Sequence, residues 1–439
     1  MSGPDGTNAA PRATRVHVIT MGCAKNLVDS EKLMAQLRLG NVEITPTLEE
    51  AEVAVVNTCG FIAAAREESI DMIIDTVRRK AGGGLRRVYA MGCLTERYRE
   101  EIIGEIPELD GVFGSNDLPG VLQALGADYR TELLGERLLT TPSHTAYLKV
   151  SEGCDHPCSF CAIPLMRGGH RSRPAAEILD EAARLAGRGV RELVVIGQDT
   201  TAYGLDLEGR RTIAPLLRRL GDLPGIEWVR LMYAYPAQFP EDVADALAEH
   251  PHLCRYLDLP VQHASDTVLR SMRRGITRRA TLELLDALRR RVPGIALRTT
   301  LIVGYPAETE RAFEELLDFV RDVRFDRLGV FTYSQEEGTA AHPLGDPVPA
   351  AEKLERQRRV LELQGRISLE RNEALVGTTV RVLVDRREDG AWMGRTERDA
   401  PEIDHEVVLH AGRPLQAGEF CGARVVDALE HELVATVIE

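Results

Sequence analysis

The stretch Cys154-Asp-His-Pro-Cys158-Ser-Phe-Cys161 carries three thiols within eight residues. Three thiolates at this C-x3-C-x2-C spacing suit an iron–sulfur cluster. A [4Fe–4S] cluster contains four irons, so a loop that ligates three of them leaves the fourth open to a small molecule. The motif therefore favours a reaction site over an electron carrier.

A zinc knuckle, completed by His156 or by a distant residue, is the alternative to a cluster. Zinc sites usually combine two half-sites with C-x2–4-C or H-x3–5-H spacing, and the sequence offers no second half-site nearby. His156 stands between two of the cysteines, where it could hardly close a tetrahedron with all three. The spacing thus favours the cluster and leaves zinc as the minor alternative.

A cysteine follows each of three predicted strands upstream of this loop. The strands are Val16–Thr20, Val53–Asn57 and Arg87–Ala90, followed by helices over Ser30–Leu37, Ala63–Lys80 and Thr95–Ile106. The cysteines are Cys23, Cys59 and Cys93. Strands that alternate with helices predict an open parallel α/β sheet, in which the carboxyl ends of the strands meet at one edge. We therefore expect a second three-thiolate site at that edge; the alternative is three unrelated buried cysteines.

Six further strands alternate with helices after residue 144. They are Tyr147–Val150, Leu193–Ile196, Trp228–Leu231, Tyr256–Leu259, Ala296–Val303 and Arg327–Phe331. Units of this kind predict a partial or full barrel, with its active site at the carboxyl ends of the strands. The cysteine loop and two polar pairs, Gln198-Asp199 and Gln262-His263, fall at such ends.

Length and the order of these elements predict three folded domains. We expect a disordered tail over 1–13, an α/β domain over 14–125, a linker over 126–143, a barrel over 144–371 and a small β-barrel over 372–439. The tail lacks the apolar segment of a secretory signal, and no apolar run has the length of a transmembrane helix, so a cytoplasmic protein is expected. The charged helix at 350–371 should present a solvated face around Glu352–Arg366.

Residues 372–439 change to short strands, predicted over Thr379–Val384, Glu406–Leu409 and Arg424–Val426. This segment has 14 acidic and 7 basic residues, half of the chain's net charge of −14, and its only aromatic residues are Trp392 and Phe420. Barrels that bind single-stranded nucleic acid combine a basic groove with stacking aromatics, so this barrel favours a basic partner. The isolated Cys254 and Cys421 are expected to be small buried hydrophobes.

With these motifs the chain resembles the radical S-adenosylmethionine enzymes, and among them the methylthiotransferases. The resemblance covers about residues 14–439 and rests on Gly22-Cys23-Ala-Lys-Asn26, Asn57-Thr-Cys59-Gly-Phe61, Met91-Gly-Cys93, Glu152-Gly-Cys-Asp-His-Pro-Cys-Ser-Phe-Cys-Ala-Ile-Pro164 and Arg167-Gly-Gly-His-Arg-Ser-Arg173. It implies an α/β fold with an N-terminal open parallel α/β domain, a central partial (β/α) TIM-like barrel and a TRAM-like antiparallel β-barrel at the C-terminus.

Two branches of that family differ in substrate. One methylthiolates adenosine in transfer RNA, and the other methylthiolates the β-carbon of an aspartate in small-subunit ribosomal protein twelve. The stretches Arg398-Asp-Ala-Pro-Glu-Ile-Asp404 and Asn26-Leu-Val-Asp-Ser-Glu31 resemble the second branch, and the acidic barrel agrees with a basic ribosomal protein. His405 stands where that branch usually has glycine, which leaves the local loop shape open. The tRNA branch remains the alternative.

The resemblance implies two [4Fe–4S] clusters and S-adenosylmethionine as cofactors. The cluster that cleaves S-adenosylmethionine to a 5′-deoxyadenosyl radical, able to break an unactivated C–H bond, would be held by Cys154, Cys158 and Cys161. An auxiliary cluster that carries the sulfur would be held by Cys23, Cys59 and Cys93. A second S-adenosylmethionine would supply the methyl group. A reductase or flavodoxin-type protein is expected as electron donor and the ribosomal protein, free or in the assembled ribosome, as substrate; no membrane partner is expected.

Six other residues are candidate cofactor contacts: Gln198, Asp199, Gln262, His263, Arg171 and Arg173. The glutamine-histidine pair could instead position the substrate, and for His263 a hydrogen-bonded structural role is equally open. Arg171 and Arg173 could grip the carboxylate of the cofactor or of the substrate aspartate, because a guanidinium binds carboxylates bidentately. The alternative for both arginines is a solvated loop.

Overall fold

The computed structural model describes residues 13–40, 42–130 and 135–438, and its chain divides into two compact units. The first unit combines Met1–Thr140 with the short segment Leu165–Arg167, and the second contains Thr141–Pro164 and Gly168–Glu439. The predicted disordered tail lies outside the described residues except at Ala13, as do residues 131–134 of the predicted linker.

A parallel sheet forms the centre of the first unit. Its strands are β1 (Thr14–Thr20), β2 (Val42–Ile44), β3 (Val53–Thr58), β4 (Arg87–Gly92) and β5 (Gly111–Val112). They lie in the order β2-β1-β3-β4-β5, and all neighbours are parallel. The predicted parallel α/β sheet is confirmed. The edge strands β2 and β5 were not predicted, because three and two residues are too short to show a periodic pattern.

Helices cover both faces of this sheet. They are α1 (Ala24–Leu39), α2 (Ala63–Ala81), α3 (Cys93–Arg97), α4 (Arg99–Glu105) and α5 (Leu118–Ala124), with a 3₁₀ helix at Leu48–Glu50. Alternate residues of β3 point to opposite faces: Val53 and Val55 pack with α1 and α5, whereas Ala54 and Val56 pack with α2 and α4. Two differences from prediction concern cysteines: α1 begins directly after Cys23, and the helix expected to start at residue 95 begins at Cys93.

Six parallel strands form the main sheet of the second unit. They are β6 (Thr145–Lys149), β9 (Glu192–Ile196), β10 (Trp228–Leu231), β11 (Leu253–Asp258), β12 (Ala296–Val303) and β13 (Arg327–Thr332), separated after β6 by a small antiparallel pair, β7 (Ser151–Glu152) and β8 (Arg171–Ser172). The six strands lie in sequence order, and β6 and β13 form the two edges of an open sheet. The prediction of a partial or full barrel is thus confirmed in its partial form.

Helices alternate with the strands along this part of the chain. They are α6 (Ile163–Arg167), α7 (Ala175–Gly187), α8 (Leu205–Glu208), α9 (Ile213–Gly221), α10 (Glu241–Glu249), α11 (Asp266–Ser271), α12 (Arg278–Arg291), α13 (Glu310–Val323) and α14 (Ala350–Glu373), with a 3₁₀ helix at His342–Leu344. The start of α13 shows why these helices form: Thr309 caps it by accepting the backbone N–H of Ala312, and Phe313, Leu316 and Phe319 then recur on its buried face. None of the helices in the described parts of the chain is long and apolar enough to cross a membrane.

The charged helix α14 is less solvated than its sequence indicates. Lys353 and Arg356 are buried, although both lie in the stretch expected to be a solvated face. Lys353 Nζ donates to the carbonyl of Tyr333 at 2.9 Å, and Arg356 pairs with Glu308. The expectation was wrong at these two positions, because long cationic side chains can bury their stems and still reach a polar partner.

A closed five-stranded barrel ends the chain. Its strands are β14 (Thr379–Glu388), β15 (Ala391–Thr396), β16 (Glu406–His410), β17 (Phe420–Ala428) and β18 (Glu432–Val437), in the order β14-β15-β16-β18-β17. The predicted small β-barrel is confirmed, but it is not wholly antiparallel, since β16 and β18 run parallel. The isolated Cys421 lies in its core, and Cys254 is buried in β11, as predicted for both.

Candidate functional site

Three cysteines lie together at the carboxyl edge of the sheet in the first unit. Cys23 precedes α1, Cys59 follows β3 and Cys93 opens α3 directly after β4, and the strands β1, β3 and β4 are neighbours. Gly22 allows this approach: its φ is +86°, and a Cβ atom there would lie 2.7 Å from Cys59 Cβ and 2.9 Å from its Sγ. Only glycine fits both the backbone conformation and the contact.

Two asparagines of the sequence motifs fix the backbone around these thiols. Asn26 Nδ2 donates to the carbonyls of Met21 and Thr58, each at 2.9 Å, and so ties the ends of β1 and β3 to α1. Asn57 Nδ2 donates to the carbonyl of Asn26 and to Ser30 Oγ, also at 2.9 Å each. Both side chains are buried. Asn26 Oδ1 also accepts from Cys93 Sγ at 3.7 Å, so Asn26 contacts one thiol directly, whereas Asn57 acts on the cysteines through the backbone.

A buried arginine donates directly to one of these sulfurs. Arg167 is 1% exposed, and its Nε donates to Cys93 Sγ at 3.2 Å. Its other nitrogens donate to Asp29 Oδ2 at 2.7 Å and to Asn26 Oδ1. Arg167 belongs to the segment Leu165–Arg167 of the first unit, although it follows Cys161 by six residues in the sequence. The sequence motif that begins at Arg167 gave no sign of this contact.

The other three thiols, Cys154, Cys158 and Cys161, lie on the loop between β7 and β8. Gly153 precedes it with φ +77°, and a Cβ atom there would lie 2.0 Å from the carbonyl oxygen of Gly169, so the two ends of the loop meet at this glycine. The backbone N–H of Cys154 donates to the carbonyl of Gly168, and that of Cys161 donates to the carbonyl of Cys158. Contacts within the protein therefore hold the loop closed.

Cys158 has a buried arginine of its own. Arg274 donates to Cys158 Sγ at 3.2 Å and to the carbonyl of Pro260 at 2.6 Å, and its guanidinium lies 4.4 Å from the ring centroid of Tyr235. The Tyr235 hydroxyl lies 3.8 Å from the same sulfur. Sequence reasoning missed both residues, because neither belongs to a motif and they come together only in the fold.

His156 does not point at the cysteines. Its Nε2 lies 2.6 Å from Asp199 Oδ2, and its ring stacks on Tyr235 at a centroid distance of 3.5 Å. Asp199 also accepts from the backbone N–H and hydroxyl of Thr201. The zinc knuckle with His156 as its fourth ligand therefore has no support in this geometry. Across residues 13–40, 42–130 and 135–438, no three His, Cys, Asp or Glu side chains converge as a single metal ion requires.

Burial controls the protonation of the cysteines. It raises the pKa of Cys93 and of Cys161 to about 12 and that of Cys154 to about 11, and it also raises the pKa of Cys59. Without metal these thiols are neutral. Iron binds thiolates, so cluster binding would expel the protons, and a [4Fe–4S] cluster offers a separate iron to each sulfur. Three thiols with an adjacent guanidinium fit such a cluster in both units.

The six candidate cofactor contacts divide into two groups. Asp199 is committed to His156, while Arg173 donates to Glu181 Oε2 and to the carbonyl of Lys149, both at 2.7 Å. His263 is 1% exposed; its Nε2 lies 2.9 Å from Glu308 and its Nδ1 accepts from the N–H of Ser265. These three have structural partners. Arg171 is exposed, and the two glutamines each keep a free oxygen.

Free polar atoms gather at the carboxyl edge of the six-stranded sheet. In the described part of the chain, buried oxygens without a hydrogen-bond partner follow four of its strands: Ser151 Oγ, Gln198 Oε1, Gln262 Oε1 and Tyr333 Oη. Gln262 also has φ +71°, an unusual conformation for a residue other than glycine. Buried polar groups normally have partners. The presence of these unpaired oxygens at the sheet edge that carries Cys154, Cys158 and Cys161 fits a polar small molecule such as S-adenosylmethionine.

The two aspartates of the barrel stretch Arg398–Asp404 pair with residues of the six-stranded sheet. Asp399 accepts from Arg327 Nε at 2.7 Å, and Asp404 accepts from Arg298 Nε at 3.2 Å and from the hydroxyl of Tyr256 at 2.7 Å. Both aspartates are buried. These carboxylates thus attach the barrel to the sheet and do not present themselves to a partner, which sequence patterning could not distinguish.

A second ion-pair group extends this attachment. Arg395 of the barrel donates to Glu192 Oε2 at 2.8 Å and to Asp385 Oδ2 at 2.7 Å. Glu192 also accepts from Arg230 Nε at 3.0 Å, and all of these side chains are nearly or fully buried. Phe420 packs edge-on against Trp228 at 4.8 Å. One of the two aromatic rings of the barrel is therefore engaged within the protein.

His405 has an ordinary backbone conformation, so the position does not require glycine. Asn372 Nδ2 donates to the carbonyls of Leu429 and Glu430, which fixes the amide, and it lies 3.3 Å from His405 Nδ1. His405 Nε2 lies 3.3 Å from His431 Nδ1. Nδ1 is thus an acceptor and Nε2–H a donor. Burial, reinforced by Arg327, lowers the pKa of His405 to about 3.

Three family models match successive parts of the chain. They are Uncharacterized protein family UPF0004 over residues 15–114, the Radical SAM superfamily over residues 148–320 and the TRAM domain over residues 376–438. Among solved structures, the radical S-adenosylmethionine methyltransferase TsrM from Kitasatospora setae, with cobalamin and a [4Fe-4S] cluster bound, is similar with a TM-score of 0.54. The likeness covers 75% of this chain and 77% of that one at 16% identity, and so concerns the fold alone.

Curated relatives match over nearly their full length. The chain is 48% identical over 429 residues to the ribosomal protein uS12 methylthiotransferase RimO of Cytophaga hutchinsonii, covering 97% of this chain and 98% of the relative. It is 50% identical over 434 residues to the protein of the same name from Porphyromonas gingivalis, covering 98% and 100%. The relative from Chloroherpeton thalassium is 49% identical over 431 residues, covering 97% and 99%.

Proposed function

The chain belongs to the RimO family of ribosomal protein uS12 methylthiotransferases, and on that premise we propose that it transfers a methylthio group to the β-carbon of an aspartate in uS12. It is a radical S-adenosylmethionine enzyme that uses S-adenosylmethionine and [4Fe–4S] clusters. The observation that carries the proposal is the set of thiols in the first unit, Cys23, Cys59 and Cys93, which is additional to the cysteine loop. Insertion of sulfur needs a place to hold it besides the loop that binds S-adenosylmethionine.

Each cysteine set has its own role in this proposal. Cys154, Cys158 and Cys161 hold the cluster beside S-adenosylmethionine, and Cys23, Cys59 and Cys93 hold the auxiliary cluster. When bound, the clusters supply the electron that cleaves S-adenosylmethionine and an open iron for the sulfur. The protein orients the reactants and keeps water away from them.

The polar atoms at the edge of the second sheet bind S-adenosylmethionine in this proposal. Ser151, Gln198 and Gln262 have oxygens free to accept from the amino group or the ribose hydroxyls of the cofactor. Arg171, exposed on β8, is the remaining cation of the predicted contacts for a carboxylate. Asp199 is held by His156 and His263 by Glu308, so these two side chains are structural in this proposal.

The acidic barrel supports a basic protein as the partner. Its inward aspartates serve the attachment to the sheet, but six other acidic residues between 372 and 438 are exposed: Glu373, Glu388, Asp389, Glu402, Asp427 and Glu430. Phe420, one of its two aromatics, packs on Trp228 and so is not free to stack on a base. Five arginines of the barrel are exposed as well, so the preference for uS12 over tRNA rests on the family to which the chain belongs; the arginines are Arg381, Arg386, Arg387, Arg413 and Arg424.

The proposal extends to the setting of the reaction. We assign three domains, over 14–125, 144–371 and 372–439, joined by a linker over 126–143. The enzyme acts in the cytoplasm on uS12, free or within the assembled ribosome, with a reductase or flavodoxin-type protein as electron donor. The chemistry supports the electron donor, since cleavage of S-adenosylmethionine consumes an electron from outside the chain.

Intact-mass analysis of uS12 tests the function. A strain without the gene should lack the mass of one methylthio group on uS12, and the wild-type gene should restore it. Cys93→Ala and Cys158→Ala should both fail to restore it, whereas Cys254→Ala, a buried cysteine outside both sets, should restore it. Loss of a methylthio group from tRNA and not from uS12 would overturn the proposal.

Cleavage of S-adenosylmethionine separates the two cysteine sets. Purified, anaerobically reduced Cys93→Ala protein should still form 5′-deoxyadenosine, because its first cluster is intact. Cys158→Ala should form none. Equal loss in both variants would contradict the division of roles.

A further inference from the structure

Arg167 forms a buried network that the proposed function does not use. It is 1% exposed, and its partners include Cys93 Sγ, Asp29 and Asn26. Asp29 balances the guanidinium charge within a salt bridge of 2.7 Å, in which the aspartate side chain is 15% exposed. The Nε–H is left to sulfur. The network therefore aims one strong, charged donor at a cysteine of the auxiliary set.

The acceptor indicates what this donor is arranged for. A thiol is a weak hydrogen-bond acceptor, and burying a charged group costs free energy unless its donors are well satisfied. A thiolate at Cys93 Sγ would accept a charge-assisted hydrogen bond, which is about twice as strong as a neutral one. The position of Arg167 thus suits an anionic, metal-bound sulfur better than a free thiol.

We propose that Arg167 is a positioning residue for the auxiliary cluster: it holds Cys93 Sγ in place and raises the reduction potential of the cluster. The inference rests on the proposed function, which assigns Cys23, Cys59 and Cys93 to that cluster. Reduction adds a negative charge to a cluster, and potentials depend on net charge and on hydrogen bonds to the sulfurs. The hydrogen bond from Arg167 to Cys93 Sγ favours the reduced form, whereas Asp29 offsets the net charge of the guanidinium.

The local sequence explains how Arg167 reaches this position. The short helix α6, Ile163–Arg167, follows Cys161 after one residue, and its last three residues belong to the first compact unit. Ser115 Oγ donates to the carbonyl of Met166 at 2.6 Å, and Gly168 then leaves the helix with φ +74°. The residues on both sides of Arg167 are therefore held, which gives its side chain a defined direction.

The test reads the auxiliary cluster by itself. The parent is the full chain with Cys154→Ala, Cys158→Ala and Cys161→Ala, reconstituted with iron and sulfide without oxygen. Iron content and the potential of the remaining cluster, from an electron paramagnetic resonance titration, are measured for Arg167→Lys and Arg167→Met. We expect Arg167→Lys to keep about four irons and a potential near the parent's. At the parent's midpoint, Arg167→Met should lower the ratio of reduced to oxidised cluster at least tenfold, which is about 59 mV for one electron.

A second buried arginine controls for loss of stability. Arg137 pairs with Glu31 in the same unit, and both side chains are fully buried. Arg137→Met should leave iron content and potential unchanged. Should Arg167→Met load poorly, Arg167→Met with Asp29→Asn removes both charges together and is compared with Asp29→Asn alone. Iron loss in the Arg167 variants with retention in Arg137→Met supports the holding role, and equal loss in all of them overturns it.

Two outcomes distinguish failure of the inference from failure of the function. If the parent binds no iron, the assignment of Cys23, Cys59 and Cys93 fails. If the parent binds iron and Arg167→Met binds it with an unchanged potential, the assignment stands and the inference about Arg167 is overturned.

Discussion

Protonation of His405 should destabilise the terminal barrel in mild acid. The pKa of His405 is about 3 in the folded chain against 6.5 for the unperturbed group, so between these values the unfolded state binds a proton that the folded state does not. The free energy of unfolding is therefore unaffected by His405 above pH 6.5 and falls as the pH drops from 6.5 towards 3. At pH 5 the loss is about 1.5 pKa units, or about 2 kcal/mol. The result depends little on the folded value, because at pH 5 the folded imidazole is neutral in any case.

Urea unfolding of the full chain and of His405→Gln, followed by tryptophan fluorescence at pH 8 and pH 5, measures this term. Glutamine keeps an acceptor for Asn372 but does not titrate. The wild-type chain should lose about 2 kcal/mol more than His405→Gln on acidification. His410→Gln, which replaces an exposed histidine of the same barrel, should behave like the wild type. Equal losses in the wild type and His405→Gln would refute the reasoning from the Asn372 contact.

Two further substitutions test the cysteine edge and the attachment of the barrel. Gly22→Ala should displace Cys59, because the new Cβ would lie 2.7 Å from that of Cys59, so metal analysis should show loss of iron at the auxiliary site. Gly83→Ala is the control, since Gly83 has φ +80° and nothing within 4 Å, and it should retain the iron. Iron retention in both variants would contradict the prediction. Arg395→Met should lower the free energy of unfolding by about 3–5 kcal/mol, because it leaves Asp385 without its guanidinium and Glu192 with Arg230 alone, as urea unfolding would show. Adding Asp385→Asn, which neutralises one carboxylate and leaves the Glu192–Arg230 pair intact, should recover part of the loss, and no recovery would count against the pairing.

The gathering of the auxiliary cysteines could be predicted because it depends on a general rule of parallel sheets. Cys23, Cys59 and Cys93 each follow a strand, and parallel strands end at one edge. The lengths of the elements were less predictable. The helix after Cys23 begins at Ala24 and not at residue 30. Lys25, Asn26 and Ser30 in its first turns are polar but buried, so the sequence shows no apolar face there that would predict a helix.

The partners of the charged side chains could not be predicted, because they lie far apart in the sequence. Arg167 and Cys93 are 74 residues apart, and Arg298 and Asp404 are 106 apart. His263 shows the same limit: the residue was correctly placed at a strand end, but its partner Glu308 comes 45 residues later. Periodicity and motifs report local geometry, whereas these contacts depend on which surfaces the fold brings together.

The ion pairs between the barrel and the sheet restrict how this protein can change. Glu192 is shared by Arg230 and Arg395, which come from the sheet and from the barrel. A substitution at any one of the three leaves a buried charge uncompensated, whereas an apolar contact tolerates exchange between residues of similar volume. Drift at this interface therefore has to proceed by compensated changes. Across relatives, these three positions should covary, while the exposed acidic residues of the barrel vary one at a time.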